Sequence, residues 1–245
     1  MIRDFLEEID DKDIRESLNQ MEFSKIVCYP GAGLDPYPCI FVDSLMDNHM
    51  AFTDDIPLIV FCDICLPDGL IDIVKRSPNN RMRSDELGAF LSKYSYPEDL
   101  LAYSNDFCVQ NAKIISMPEF QKGLCFEAVF KKRTFIALYI ECSAEELFIH
   151  FAKNKISVDL VVLWNEQSWR FNNVIDALVE NSYMNELPKR IIRNRTNKFI
   201  PLNGQFYKQE PLSPSDDLFQ LVCKCRGVET EDAVRAGIAR IIRYD

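Results

Sequence analysis

Two near-continuous apolar runs constrain this chain more than anything else in it: Ile56-Pro-Leu-Ile-Val-Phe-Cys-Asp63 and Ser157-Val-Asp-Leu-Val-Val-Leu-Trp164. A strand with one wet face alternates apolar and polar residues. A run that does not alternate belongs to a strand covered on both faces, which places it inside a parallel sheet. Parallel neighbours need crossovers of a dozen or more residues, usually helical. The remaining segments fit that demand. Residues 2–21 carry a helical apolar stripe, Ile26–Tyr29 reads as a strand, and Ile40–Met46 and Asp85–Tyr94 read as helices. Val109–Met117 is a further strand candidate, and Leu124–Ile140 reads as a hairpin turning at Lys131-Lys-Arg-Thr134. Ser143-Ala-Glu-Glu146 is a capping box that opens a helix. Gln167–Asn181 is helical, two strand candidates flank Asn203-Gly204 within 191–207, Ser213-Pro-Ser-Asp216 opens a helix, and Thr230 to about Arg243 reads as the last helix.

This alternation predicts an α/β fold: a Rossmann-like three-layer sandwich around a mixed, mostly parallel sheet. No linker or repeat interrupts it. The whole of 1–245 therefore reads as a single domain, an N-terminal helix at 2–21 followed by a core from about 24 to 245. The N-terminal stretch is acidic and amphipathic, unlike a signal or transit peptide, which predicts a cytoplasmic protein. No apolar run approaches the roughly 20 residues of a membrane span, so no membrane partner is expected.

The net charge of −10 disfavours broad contact with phosphate backbones, and so disfavours nucleic acid as a partner. Lys189-Arg-Ile-Ile-Arg-Asn-Arg195 with Lys198 is a local exception, either a charged strand edge or a docking strip for a protein partner. The nine cysteines are odd in number and sit in apolar surroundings, which fits free thiols used as small hydrophobes. Cys62-Asp-Ile-Cys65 and Cys223-Lys-Cys225 do not have a zinc-ribbon spacing, and two histidines exclude a histidine-rich site, so no metal is expected. His150 reads as packed within an apolar helix, and His49 is the better acid–base candidate.

The functional signal lies at Tyr29-Pro-Gly-Ala-Gly-Leu-Asp-Pro-Tyr-Pro38, where the first strand breaks into a two-glycine corner. Glycines at such a corner let a ligand approach the backbone, and a corner after the first strand of a parallel sheet borders the ligand crevice. Gly31 and Gly33 would present amides, Asp35 would hold an ammonium or hydroxyl, and Asp63, ending a buried strand, would accept from ribose hydroxyls. Each residue also has a purely structural reading. The glycines turn the chain, Asp35 caps a helix, Asp63 caps a turn before Pro67, and Asp159 bonds a neighbouring loop.

With these residues in this order, the chain resembles the class I S-adenosylmethionine-dependent methyltransferase superfamily over roughly residues 24–165. Gly31 and Gly33 stand in the glycine-rich loop, Asp63 at the ribose-binding strand end, and Asp159 in the later hydrophobic strand. The resemblance implies S-adenosylmethionine as cofactor, held at Gly31, Gly33, Asp35 and Asp63, with a small-molecule or nucleoside ligand. The chain departs from the family where Tyr29 replaces the loop acid, where Asp35 replaces the third glycine, and where Pro36 and Pro38 follow. No Asn/Asp-Pro-Pro-Tyr/Phe motif is present. Two functions follow as expectations: a divergent methyltransferase, or a non-catalytic binding or interaction module on a degenerate methyltransferase-like fold.

Overall fold

The structure is a computed structural model that describes residues 2–21, 23, 25–31, 57–64, 107–120, 122–130, 133–163, 167–194, 206–216, 219–220 and 238–243. Among these, nine strands form one sheet. In chain order they are β1 (Ile26–Pro30), β2 (Leu58–Asp63), β3 (Phe107–Ile115), β4 (Gly123–Phe130), β5 (Arg133–Glu141), β6 (Leu160–Leu163), β7 (Arg190–Asn194), β8 (Tyr207–Pro211) and β9 (Ile238–Arg243). Their spatial order is β3-β4-β5-β2-β1-β6-β7-β9-β8. The five central strands pair in parallel, and only β4 and β9 run against the rest. The sheet is therefore mixed, with a parallel centre, as the two apolar runs require.

Burial explains why those runs do not alternate. Leu58, Ile59, Val60 and Cys62 are fully buried and Phe61 nearly so, although successive residues point to opposite faces. One face carries Ile26, Cys28, Leu58, Val60, Cys62, Ile136, Leu138, Ile140, Val161, Leu163 and Ile191. It packs against the helices α1 (Ile2–Glu7), α2 (Lys12–Asn19), α3 (Ala144–Lys153) and α4 (Gln167–Glu180). The other face is buried as well. There Tyr29 meets Phe61 edge-on at 6.4 Å between ring centroids, and Phe61 stacks on Tyr139 at 5.9 Å.

Three expectations need correction. The stripe over 2–21 is two helices. The chain turns at Glu8 to Asp11, where the Asp11 carboxylate accepts from the Ile14 amide at 3.0 Å and restarts the helix. Asp10 sits in that turn and receives both the amide and the hydroxyl of Ser116, at 3.0 and 2.6 Å, which ties the N-terminal segment to the end of β3. The second of the two strands expected around Asn203-Gly204 begins at Tyr207, where the expected span ends. The third correction is the largest. Ile238–Arg243 is a strand, whereas a helix was expected to run to about Arg243. Ile238, Ile241 and Ile242 have helical spacing, but three isoleucines favour the pleated surface, and β7 and β8 supply partners on both sides. Arg243, at the end of this strand, donates to the Asn185 and Leu187 carbonyls at 2.9 and 2.7 Å. The helix candidates at Ile40–Met46 and Asp85–Tyr94 lie outside the described residues, as do residues 230–237.

The hairpin of β4 and β5 and the capping box of α3 are present. Ser143 Oγ accepts from the Glu146 amide at 3.2 Å, and Glu146 Oε2 accepts from the Ser143 amide at 2.8 Å. The hydrogen bonds from the Ser143 amide and hydroxyl hold the Glu146 carboxyl below its ordinary value of 4.5. Such a group stabilises fully above that ordinary value and loses its contribution as pH falls through the lowered one. Ser143→Ala is expected to cost about 1 kcal/mol at neutral pH. In urea melts, its deficit relative to the unaltered protein should shrink as pH drops below 4.5. A deficit independent of pH would show that the box contributes nothing through Glu146.

Candidate functional site

The parallel strands end at Pro30, Asp63, Glu141, Leu163 and Asn194, all on one edge of the sheet. Taken alone, the five central strands run 3-2-1-4-5 in their own chain order, so β1 and β6 are the neighbours at which the winding reverses. In open α/β sheets, ligands bind beyond the carboxyl ends of the strands at such a reversal. A cavity of about 370 Å³ opens at this carboxyl edge, over the ends of β1, β2 and β5. Its volume is within the range of small-molecule sites, about 300–1,000 Å³.

Backbone hydrogen bonds shape this cavity. Gly31 leaves β1 with φ at 66°, the left-handed region that glycine enters without penalty, and its amide donates to the Cys62 carbonyl at 2.7 Å. On the other side of β2, the Cys142 amide donates to the Asp63 carbonyl at 2.9 Å, which carries the parallel ladder one step past the end of β5. The Asp63 carboxylate accepts from the Ile64 amide at 2.7 Å and is held at the strand end. Ile64 beside it is 78 % exposed, an apolar lip next to a carboxylate. Ser143, Ala144 and Glu145 at the start of α3 form a second wall, and Asn173 and Val174 of α4 complete the lining with Cys62 and Cys142.

The Cys62 and Cys142 thiols are hydrogen-bonded to each other. The hydrogen bond to Cys142 draws the Cys62 pKa down, but the hydrogen bond to Cys28 and full burial outweigh it, and the thiol titrates well above its ordinary range. The hydrogen bond to Cys62 and burial raise Cys142 as well. This part of the lining is therefore neutral. Cys28, Cys62, Cys125 and Cys142 are all buried free thiols, and Cys65, Cys223 and Cys225 lie outside the described residues. Among the described residues, no group of three or more His, Cys, Asp or Glu side chains is placed to hold a metal ion.

Of the expected site residues, Gly31 and Asp63 come together in the cavity lining, while Gly33 and Asp35 lie outside the described residues. Asp159 is at the opposite edge of the sheet. It precedes β6, accepts from the Ile26 amide at 3.0 Å, and takes Lys189 Nζ at 2.6 Å. Its structural reading, a carboxylate that bonds a neighbouring segment, stands. That contact also engages Lys189 of the basic cluster, whereas Arg195 and Lys198 lie outside the described residues. His150 is 6 % exposed between Phe5 and Phe120, with Nε2 3.0 Å from Glu8 Oε2. His49 and Trp164 lie outside the described residues.

Sequence reasoning missed Ile64, Cys142, Ser143, Ala144, Glu145, Asn173 and Val174 as lining residues. For those at the start of α3 the signal was present. A capping box directly after a buried parallel strand marks a helix start at the crevice edge. For Asn173 and Val174, in the middle of α4, no local signal exists.

Comparison with protein-family models, with curated proteins and with solved structures finds no match.

Proposed function

We propose that this chain is a divergent S-adenosylmethionine-binding protein of methyltransferase type, which holds its ligand in the cavity beside Gly31 and Asp63. One observation carries the reading. The glycine that closes β1 and the aspartate that closes β2 line a single cavity at the carboxyl edge of the parallel strands, where open α/β sheets bind ligands. In this reading Asp63 accepts from ribose hydroxyls, and the apolar lip at Ile64 faces the base. The strand order adds support. Beyond the parallel centre the last strand, β9, is inserted antiparallel between β7 and β8, so the order from β5 outward is 3-2-1-4-5-7-6 with only the seventh reversed. The plain dinucleotide-binding order, 3-2-1-4-5-6, has no such reversed insertion, which weighs against NAD as the ligand. Methyl transfer depends chiefly on holding donor and acceptor in line, so it requires few dedicated acid–base groups.

A second reading, a non-catalytic binding module on the same fold, is favoured by Tyr29. It occupies the position of the family's loop acid, yet it is 3 % exposed and packs against Phe61 instead of lining the cavity.

Thermal-shift titration with S-adenosylmethionine, S-adenosylhomocysteine, NAD and ATP tests the proposal. Stabilisation by the S-adenosyl compounds alone is the expected result, about 2.7 kcal/mol at a hundredfold excess over Kd. Asp63→Ala is expected to weaken that binding by about 1.5–3 kcal/mol, the range for a hydrogen bond to a charged group. No shift with any of the four compounds removes the cofactor reading, and an unchanged affinity in Asp63→Ala removes Asp63 from the site. Binding without turnover against a panel of methyl acceptors is the signature of the second reading.

A further inference from the structure

We infer that Glu145 makes this cavity select against phosphorylated ligands, so that its occupant is a phosphate-free nucleoside. The inference rests on the nucleoside reading and adds a specificity residue to it. A helix that starts at a crevice of this kind is the usual seat for a phosphate, because its unpaired amides and dipole attract anions. Here that seat is already answered from within the chain. The first turn of α3 carries Glu145 and Glu146, and the Ser143 side chain takes up the Glu146 amide. Glu146 is engaged with Ser143, whereas Glu145 makes no hydrogen bond or ion pair among the described residues and lines the cavity.

Asp63 lines the same cavity from the end of β2, so two carboxylates share it. The other polar groups of the described lining are neutral: Ser143, the Asn173 amide and the Cys62 and Cys142 thiols. Lys122, just before β4, is paired with Glu141 at 3.8 Å. A phosphate entering here meets like charge from two elements, and like charges opposed across a binding site are a strong basis for rejection. A ribose or an ammonium meets acceptors instead.

The test is calorimetric titration of the full chain with adenosine and with adenosine monophosphate, at low and at high salt, for the unaltered protein and Glu145→Gln. Adenosine is expected to bind about tenfold more tightly than the monophosphate at low salt, with the gap narrowing at high salt as screening shortens the reach of the carboxylates. Glu145→Gln is expected to narrow the low-salt gap to about threefold, because one of the two repelling charges is gone. Monophosphate binding as tight as adenosine binding in the unaltered protein overturns the inference, and so does a gap that Glu145→Gln leaves unchanged. If neither compound binds, the nucleoside reading falls and the inference with it, an outcome distinct from equal binding of the two.

Discussion

Phe148→Ala is expected to destabilise the protein by about 3–5 kcal/mol, the usual cost of removing a buried aromatic ring. Phe148 is 1 % exposed on α3. Its ring meets Phe171 of α4 edge-on at 5.0 Å and Phe151 one turn away at 6.1 Å, and Phe151 in turn meets Phe5 of α1 at 5.0 Å. The ring therefore joins α3 to α4 over one face of the sheet, and Phe151 carries the cluster on to α1. Neighbours held by their own ring contacts relax only partly into the space it leaves, so a cavity term adds to the lost transfer free energy. For a chain of this length the melting temperature should fall on the order of 10 °C. The functional consequence is more specific. The site's two helical walls, Ser143 to Glu145 and Asn173 to Val174, ride on the α3–α4 contact that Phe148 fills. Phe148→Leu, which keeps most of the volume, should recover most of the stability and all of the ligand-induced shift. A melting temperature in Phe148→Ala within a degree or two of the original would mean that the helix contact does not rest on this ring.

What the sequence disclosed follows from how local each signal is. β2 and β6 were legible because burial on both faces needs no partner to be recognised: the apolar run itself states it. The α3 capping box was legible for a similar reason, since Ser143 and Glu146 satisfy each other within four residues. The break at Glu8 to Asp11 was not. The apolar stripe continues across it, and what stops the helix is a tertiary contact, Asp10 with Ser116, 106 residues away. β9 was misread because Ile238, Ile241 and Ile242 have the i, i+3, i+4 spacing of a helical stripe, and the deciding fact is the gap between β7 and β8 that the segment fills. The same division runs through the site. Gly31 and Asp63 end strands, so the sheet rule located them, whereas Asn173 faces the cavity only because α3 and α4 pack as they do.

Asp159 shows how sequence order misleads when the end of the strand is misjudged, and it supplies the sharpest test of where the site is. It matched the Asp of the family's later hydrophobic strand, and it stands before β6, at the amino edge of the parallel strands. Asp159→Ala is expected to cost about 1–4 kcal/mol. Most of that is the Ile26 amide, which loses its acceptor at the buried start of β1; an unsatisfied buried donor costs about 1–3 kcal/mol. The Lys189 pair adds less, about 0–1 kcal/mol, because Lys189 is half exposed and water screens it. Asp159→Asn, which can still accept from the Ile26 amide, should recover the larger part. Ligand affinity at the Gly31–Asp63 cavity should be the same in both variants, because the two ends of β1 are separated by the length of the strand. Urea melts paired with calorimetry on folded protein separate the two quantities. A loss of affinity in Asp159→Asn at full stability would move the site to the opposite edge of the sheet, and with it the roles given to Asp63 and Glu145.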